Sequence, residues 1–361
     1  MSTDSAGLMA IGITGATGLV GRALVTELCK TYAVVAIGRD HSALANLVAA
    51  CQGEAICKPV VRLADVCDRS ALEQAFVGLD IVVHAAGFVD PMADRQLILS
   101  INTGGTANAL EAADKAGVKQ FIHISSLSVI TGQGDQFNLD ESAPLQLCGE
   151  AYADSKVEAE KLFDRSNFSY KFAYTILRPG FIYGPGERSW LPRVSKAIAS
   201  GQAMLVDGGT RETNVVYVGN LVQAVRAAIL NEKAYGQVFN ITDGEKVSKK
   251  QLFDAIADGI GMPRVKKDLP RWLVKPVCQL VTAATANKKM TAESQAKLAR
   301  FSPAAFRLAA VNQGFSIAKA ERILDYNSSK RISFKDGMDI TMKSVKAEAL
   351  VEKHNKEELN Q

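Results

Sequence analysis

Two pairs of residues in this chain place a tyrosine four positions before a lysine, a spacing that suits proton transfer. They are Tyr152 with Lys156, in "YADSK", and Tyr326 with Lys330, in "YNSSK". On a helix such residues face the same way, and an ammonium ~6 Å from a phenol lowers its pKa by about two units. The spacing alone does not choose between the pairs, because 8 tyrosines and 25 lysines in 361 residues give about half a match by chance.

The sequence around Tyr152 favours the first pair. The pattern from residue 152 onward predicts a helix, and the strand predicted before it runs into "SSLS" at residues 125–128. In a parallel α/β sheet the carboxyl ends of the strands line the ligand crevice, so a serine there can hold the oxygen that Tyr152 protonates or deprotonates. We select Ser126, with Ser125 and Ser128 as alternates, and a helix cap as the structural alternative for each.

The second pair lacks this context. Tyr326 continues a predicted helix that ends in a polar turn, and neither a glycine turn nor a serine-bearing strand leads into it. We therefore interpret Tyr326 as a packing residue and Lys330 as solvent-exposed.

Short apolar runs alternate with amphipathic stretches along the chain. The runs that we interpret as strands cover residues 10–14, 33–38, part of 55–66, 80–87, 120–126, 174–180 and 237–242. Strands that alternate with helices pair in parallel through right-handed crossovers. The predicted fold class is α/β, a doubly wound parallel sheet (Rossmann fold) with a smaller, mainly helical C-terminal substrate-binding region.

A glycine-rich turn follows the first predicted strand. The stretch "ITGATGLVG" places Gly15, Gly18 and Gly21 at intervals of three, between that strand and the first helix. Such a turn lets the backbone approach a pyrophosphate, which binds where the unpaired N–H groups of a helix start favour negative charge. The pattern predicts a dinucleotide site; a tight packing turn without a ligand is the alternative.

The end of the second predicted strand bears on the choice of cofactor. An acidic residue there favours NAD(H), whereas an arginine can pair with the 2′-phosphate of NADP(H). Gly38 stands at the expected acidic position and Arg39 follows it, so we expect NADP(H) rather than NAD(H). Asp65 is a candidate acceptor for the adenine amino group, with a helix N-cap at Asp65 or Asp68 as the alternative.

The predicted domain boundaries are interleaved. Residues 8–175 form an NAD(P)-binding Rossmann domain, to which 214–245 contribute, while 176–213 and 246–350 form the substrate-binding region and 351–361 a charged tail.

Composition argues against several other functions. A net charge of +4, spread along the chain, is too small for a nucleic-acid partner. Six cysteines without a Cys-x-x-Cys pattern predict no metal site and no disulfide framework, so we expect reduced thiols in the cytoplasm. Residues 269–286 are apolar but too interrupted to cross a bilayer; a membrane-surface helix, a lid and packing on the core remain open alternatives.

Over about residues 10–245 the chain resembles the extended short-chain dehydrogenase/reductase superfamily. The motifs that carry the resemblance are "TGATGLVG", "HAAG", "NTGGT", "HISSLSV", "YADSK" and "LRPGFIYGPG", in that order. The resemblance implies a catalytic triad of Ser126, Tyr152 and Lys156, with Lys156 also binding the nicotinamide ribose. The predicted cofactor-binding residues are Gly15, Thr17, Gly18, Leu19, Val20, Gly21, Arg39, Asp65, Val66, Ala85, Ala86, Gly87, Asn102, Tyr152, Lys156, Pro179, Gly180 and Ile182.

Three features distinguish branches of this superfamily. Leu127 and Ser128 follow Ser126, where sugar dehydratases have an Asp-Glu pair, and Phe181 stands where nucleotide-sugar enzymes commonly have an asparagine. The stretch "NVVYVGNLVQA" (214–224) resembles 3β-hydroxysteroid dehydrogenases, whose substrates are flat and hydrophobic.

The expected function is therefore hydride transfer between a nicotinamide and a secondary alcohol or ketone of an apolar substrate, with Tyr152 as the general acid or base. The alternatives are a nucleotide-sugar 4-epimerase that retains NAD and uses the same triad, and a binding protein that senses NADP(H). A homodimer is an expectation from the superfamily.

Overall fold

The computed structural model describes residues 7–51, 53–90, 93–132, 134–164, 169–285, 298, 301 and 303–359. The strands are β1 (Ala10–Thr14), β2 (Ala33–Gly38), β3 (Val60–Leu63), β4 (Ile81–His84), β5 (Gln120–Ile124), β6 (Gln136–Leu139), β7 (Ala173–Pro179), β8 (Phe181–Tyr183), β9 (Leu205–Val206), β10 (Glu212–Thr213), β11 (Val215–Tyr217), β12 (Gln237–Ile241), β13 (Val247–Ser248), β14 (Asp268–Leu269) and β15 (Gln313–Phe315).

The α-helices are α1 (Leu19–Leu28), α2 (His41–Ala50), α3 (Arg69–Phe76), α4 (Arg95–Leu99), α5 (Gly105–Ala116), α6 (Ser128–Thr131), α7 (Ala151–Lys161), α8 (Leu191–Ala199), α9 (Val218–Ala228), α10 (Lys249–Ile260), α11 (Arg271–Thr285), α12 (Pro303–Ala310), α13 (Ala318–Leu324) and α14 (Phe334–Leu359). A π-helix (Ser100–Gly104) leads into α5, and 3₁₀ turns cover Asp207–Gly209 and Glu232–Ala234.

Seven strands form one parallel sheet in the order β12-β7-β5-β4-β1-β2-β3. Leu24 of α1 and Val222 of α9 pack on one face, while Phe76 of α3 and Leu110 of α5 pack on the other. The predicted Rossmann fold is confirmed. The strand order reverses between β1 and β4, so the crevice for a ligand opens at the carboxyl ends of these strands.

Strands β1 and β2 occupy the residues that the sequence predicts, because both are buried along their length and read as continuous apolar runs. The run 55–66 contributes only β3, whose ends are exposed at the edge of the sheet. Within the described residues, four two-stranded sheets lie outside the main sheet, and their pairing was not predicted. Strands of two to four residues are too short to show a regular alternation of apolar and polar residues in the sequence.

The C-terminal helices pack around a core of their own. Tyr183, Leu252, Ile256 and Met338 belong to this cluster, which joins β8, α10 and α14. The apolar segment predicted at 269–286 forms α11, which packs against α12. No helix in the described part of the chain is long and apolar enough to cross a membrane.

The glycine turn gives a prediction about stability. A Cβ at Gly21 would lie 2.1 Å from the Gly15 carbonyl oxygen and 2.6 Å from Ala16 Cα, so the turn or α1 must shift to admit it. We expect Gly21→Ala to lower the free energy of unfolding by roughly 1–3 kcal/mol, measured by urea denaturation.

Gly104→Ala is the matched control, because Gly104 has helical angles (φ −62°) and nothing lies within 4 Å of its Cβ position. We expect this change to be neutral or to stabilise by up to about 1 kcal/mol. Equal stability of the two variants would contradict the close packing of the turn.

Candidate active site

Tyr152 and Lys156 lie one turn apart on α7, as the sequence predicts. Ser126 follows β5, and hydrogen bonding between Ser126 and Tyr152 joins their side chains. Lys156 is buried, with 4% of its surface exposed, whereas Tyr152 and Ser126 are partly exposed. The structure therefore brings together the three residues that the sequence predicts as a triad.

The hydrogen bonds also distinguish among the three candidate serines. The Ser125 hydroxyl donates to the buried carboxylate of Glu160, so it is already engaged. The Ser128 hydroxyl is buried and has no hydrogen-bond partner within the described residues. Ser126 Oγ accepts from the Ser128 backbone N–H at 3.1 Å but does not cap α6, whose N-cap residue is Leu127, and it also meets Tyr152. The geometry favours Ser126.

The Lys156 amine is held inside the protein. Its Nζ donates to the Ile124 carbonyl oxygen at 2.9 Å, at the end of β5. Burial lowers the pKa of Lys156 to about 8, and the negative charge of Glu160 opposes that shift. At neutral pH the amine is therefore still mainly an ammonium.

The sequence analysis expects Lys156 to lower the pKa of Tyr152, and in this structure that expectation is wrong. Burial raises the pKa of Tyr152, and the hydrogen bond with Ser126 is what opposes the rise. The physical reason is that desolvation of the phenol outweighs the contacts that favour its ionised form. Without a ligand, Tyr152 is a protonated hydroxyl, ready to donate.

The sequence analysis did not identify two charged residues that lie behind the site. Glu160 and Arg178 form a buried, forked ion pair in which Arg178 Nη2 lies 2.6 Å and Nε 3.0 Å from the carboxylate oxygens. Both signals were in the sequence: Glu160 repeats the four-residue spacing of Tyr152 and Lys156, and Arg178 interrupts an apolar strand, where a charge needs a partner.

A second pair lies at the start of α7. Glu150, which precedes the helix, forms an ion pair with Arg307 of α12. Asp154 in the first turn accepts the backbone N–H groups of Cys148 and Gly149 and pairs with Arg95 at 2.8 Å. The position of Tyr152 thus depends on α12, which no local pattern could show.

The glycine turn fits a dinucleotide. Gly15 has φ +65°, and its Cβ would lie 2.7 Å from Ala86 Cα, so only glycine allows this approach of β1 to β4. Helix α1 begins after Gly18 without a side-chain cap, which leaves backbone N–H groups for an anion. The side chains of Leu19 and Val20 pack into the core, so these two residues can offer a ligand their backbone N–H groups.

The other predicted cofactor residues are distributed around the same edge of the sheet. Thr17 is in the glycine turn, Val66 packs beside Gly105 of α5, and Ala85, Ala86 and Gly87 follow β4. Pro179 ends β7, Gly180 follows it, and Ile182 is in β8. Asn102 is buried in the π-helix, where its amide accepts the Phe88 N–H at 2.7 Å and donates to Ser155 Oγ at 2.9 Å.

Arg39 and Asp65, predicted at the adenosine end, form an ion pair. Arg39 Nη1 lies 3.5 Å from Asp65 Oδ2, and the Arg39 side chain is 70% exposed. Asp40 caps α2 and Asp68 caps α3, so the N-cap alternative applies to Asp68. Asp65 Oδ1 instead accepts the Cys67 N–H at 2.9 Å.

Phe181 forms an aromatic pair at the start of β8. Its ring meets Trp190 edge-on, with 6.2 Å between centroids. Both rings are partly buried, so each also offers apolar surface outside the pair.

Tyr326 and Lys330 do not lie on a common helix, because α13 ends at Leu324. Tyr326 is buried and donates to the Thr242 carbonyl oxygen at 2.9 Å, and Lys330 is exposed and pairs with Asp325. The structural interpretation of this pair is confirmed.

Comparisons with known proteins identify the family. Residues 12–271 match the 3-beta hydroxysteroid dehydrogenase/isomerase family. The chain is 28% identical over 355 residues to 3beta-hydroxysteroid-dehydrogenase/decarboxylase isoform 1 of Arabidopsis thaliana, over 92% of this chain and 78% of that protein. It is 27% identical over 287 residues to N-acetyl-alpha-D-glucosaminyl-diphospho-ditrans,octacis-undecaprenol 4-epimerase of Escherichia coli O157:H7, over 78% and 82%.

A solved structure shows the same fold. UDP-glucuronic acid 4-epimerase from Bacillus cereus, in complex with NAD, matches with a TM-score of 0.70 and 22% identity, over 94% of this chain and 99% of that one.

Fold, motifs and comparisons together define an extended short-chain dehydrogenase/reductase. Within that superfamily the chain belongs to the 3-beta hydroxysteroid dehydrogenase/isomerase family, and it is an enzyme that acts on CH–OH groups.

The buried ion pair behind the site gives a second prediction. Glu160→Gln leaves the Arg178 guanidinium buried without a counter-charge, so we expect a loss of roughly 3 kcal/mol in the free energy of unfolding. Urea denaturation measures the loss. Glu158→Gln, on the same helix with an exposed partner in Lys161, should change it by less than about 0.5 kcal/mol.

The double variant Glu160→Met with Arg178→Met removes both charges and should recover much of the loss. A double variant as unstable as Glu160→Gln would show that the unpaired charge is not the cause.

Proposed function

We propose that the protein is an NADP(H)-dependent oxidoreductase that interconverts a secondary alcohol and a ketone on a bulky apolar substrate. The observation that carries this proposal is that Tyr152 meets Ser126 after β5, at whose last residue, Ile124, the buried amine of Lys156 is also held.

The proposed roles of the three side chains follow from their protonation states and their contacts. In the reducing direction the Tyr152 hydroxyl donates its proton to the carbonyl oxygen, and Ser126 holds that oxygen by a hydrogen bond. The bound nicotinamide supplies or accepts the hydride. Lys156, mainly charged at neutral pH, would hold the nicotinamide ribose, and the Ser126 hydroxyl would favour the ionised phenol that remains after proton transfer.

Charge pairing in the C-terminal region supports an apolar substrate. Arg271 Nη1 lies 2.5 Å from Asp135 Oδ2, Arg211 pairs with Asp207 at 2.8 Å, and Arg307 pairs with Glu150. A nucleotide sugar needs cations for its diphosphate, and these three already have carboxylate partners.

The aromatic pair of Phe181 and Trp190 supports the same substrate class, since it adds apolar surface next to β8. The name of the Arabidopsis relative contains a hydroxysteroid, which is largely hydrocarbon. The Escherichia coli relative is named as a 4-epimerase of a sugar joined through a diphosphate to a polyprenol, so it shares a largely hydrocarbon group but belongs to the alternative reaction.

The proposed NADP(H) preference rests on Arg39, which follows β2. Its 3.5 Å ion pair with Asp65 is exposed, and a 2′-phosphate would replace Asp65 as its partner. A cytoplasmic location is part of the proposal, because none of the six cysteines, all of which the structure describes, forms a disulfide, as in a reducing compartment.

The two Tyr–Lys spacings supply a test with an internal control. Tyr152→Phe removes the proton donor and should lower kcat by at least about 10²-fold while cofactor binding is retained. Tyr326→Phe removes one buried hydrogen bond, so it should cost about 1 kcal/mol of stability and leave turnover unchanged. Nicotinamide absorbance and a cofactor titration measure both; an active Tyr152→Phe enzyme would refute the assignment.

Cofactor choice is tested at Arg39. Arg39→Ala removes a charge-assisted contact to the 2′-phosphate, so the Kd for NADPH should rise about 10- to 100-fold and that for NADH should not change. Arg322→Ala, an exposed arginine on α13, is the control and should affect neither. An equal loss for both cofactors would contradict the proposal.

The substrate class is tested with a panel of hydroxysteroids, other apolar ketones and alcohols, and UDP-sugars. Net redox turnover of an apolar member is the expected result. Sugar interconversion without net change in the cofactor would instead establish a 4-epimerase, and binding of cofactor without turnover would indicate a sensor.

A further inference from the structure

A groove with a volume of about 990 Å³ lies where α1, α9 and the segment that follows α13 come together. Its wall on α1 runs from Leu19 to Glu27, a distance of ~12 Å along the helix axis. Among the described residues, Ser126, Tyr152 and Lys156 do not line it, and Leu19 is the one predicted cofactor-binding residue that does. The groove is therefore separate from the crevice of the candidate active site.

The side chains that line the groove carry more positive than negative charge. Arg226 pairs with Glu27 at 3.1 Å, and Lys330 pairs with Asp325, so two of the three lining cations have a carboxylate partner within the lining. The third cation, Arg22, forms no ion pair in the part of the chain that the structure describes. One positive charge in the groove is left without a counter-charge.

The guanidinium of Arg22 is fixed in position by a glycine. Its Nη2 donates to the Gly186 carbonyl oxygen at 3.0 Å, and a Cβ at Gly186, which has φ +77°, would lie 2.3 Å from the same Nη2. The other N–H groups of Arg22 have no acceptor among the described residues. A guanidinium with a fixed position and free donors is suited to binding an anion.

The surroundings of Arg22 increase what an anion would gain by binding there. Burial lowers the pKa of Arg22, the positive charge of Arg188 lowers it further, and Glu348 of α14 opposes both effects without forming an ion pair among the described residues. A cation that is partly removed from water and close to another cation is stabilised more by an anion than a fully exposed cation is.

The rest of the lining combines apolar walls with two polar side chains. Ala23, Pro185 and Val222 provide apolar surface. The Tyr217 hydroxyl and the Gln223 amide also line the groove, and neither has a hydrogen-bond partner within the described residues. A mostly apolar wall with a few polar groups that orient the ligand is the composition of a site for a small organic molecule.

We propose that this groove binds a small monocarboxylate with an apolar body, whose carboxylate pairs with Arg22. A guanidinium presents parallel N–H groups that match the two oxygens of a carboxylate, and one negative charge neutralises the single uncompensated charge of the lining. The apolar body lies along α1 and α9, against Ala23 and Val222.

The proposed site is connected to the elements that hold the cofactor and the substrate. Arg22 lies on α1, the helix that follows the glycine turn, and its partner Gly186 lies between β8 and α8. The inference goes beyond the proposed function and does not depend on it, because ligand binding is measured without turnover.

The test is isothermal titration calorimetry of the full chain with decanoate, and with decyltrimethylammonium as an amphiphile of equal chain length and opposite charge. We expect decanoate to bind and the cation not to bind. Arg22→Gln removes the charge-assisted hydrogen bonds, so it should raise the Kd for decanoate about 10-fold or more. Arg322→Gln removes the same charge at an exposed position of α13 outside the lining and should change the Kd less than about two-fold.

A second variant fills the groove without changing its charge. Gln223→Trp places a large ring on the α9 side and should also raise the Kd for decanoate about 10-fold or more. Saturating NADPH or NADH should leave decanoate bound, because the cofactor crevice is a different site. Urea denaturation verifies that each variant is folded.

The proposal is overturned if decanoate does not bind, or if Arg22→Gln and Arg322→Gln bind it alike. Displacement of decanoate by the cofactor would also overturn it, since decanoate would then occupy the cofactor crevice. So would a dimer in analytical ultracentrifugation that Gln223→Trp dissociates, because the groove would then hold a second copy of the chain.

Discussion

The buried carboxylate of Glu160 joins three elements, helix α7 and the paired strands β5 and β7. It lies on α7, accepts the forked guanidinium of Arg178 from β7, and accepts the hydroxyl of Ser125 at the end of β5. A charge in this position is tolerated only when it is paired and hydrogen-bonded, which restricts the elements to one arrangement. That arrangement sets α7 against the end of β5, where Ser126 meets Tyr152.

The same carboxylate affects the electrostatics of the site. Lys156 is one turn away on α7, and the charge of Glu160 opposes the lowering of its pKa by burial. Desolvation and the counter-charge therefore act in opposite directions on a single amine, and their balance leaves it protonated at neutral pH. The ion pair with Arg178 and the ammonium of Lys156 thus share one buried carboxylate.

The C-terminal region is linked to the catalytic helix by charged contacts at its periphery. Arg307 reaches Glu150 at the start of α7, and Arg271 reaches Asp135 beyond Ser126. These contacts connect α11 and α12 directly to the segments that follow Ser126 and precede Tyr152. They also occupy arginines that could otherwise bind phosphates, which makes the same contacts relevant to substrate choice.

Much of the site could be predicted because its determinants are local. Gly15 and Gly21, the serine after β5, and the four-residue spacing from Tyr152 to Lys156 are constrained by turn and helix geometry, which neighbouring residues encode. Hydrophobic runs buried on both faces also identified the strands of the main sheet.

Features that depend on pairing between distant residues could not be predicted from such local patterns in the sequence. The short strands of the substrate region, the partner of Arg178 and the direction of the Tyr152 pKa shift all depend on which groups exclude water from one another. The sequence by itself determined the Rossmann sheet, the glycine turn and the helical spacing of Tyr152 and Lys156, because periodicity and spacing act over a few residues. Only the tertiary structure decided which serine meets Tyr152, which carboxylate supports Lys156 and which face of α11 stays exposed, because burial and charge pairing arise from contacts between remote parts of the chain.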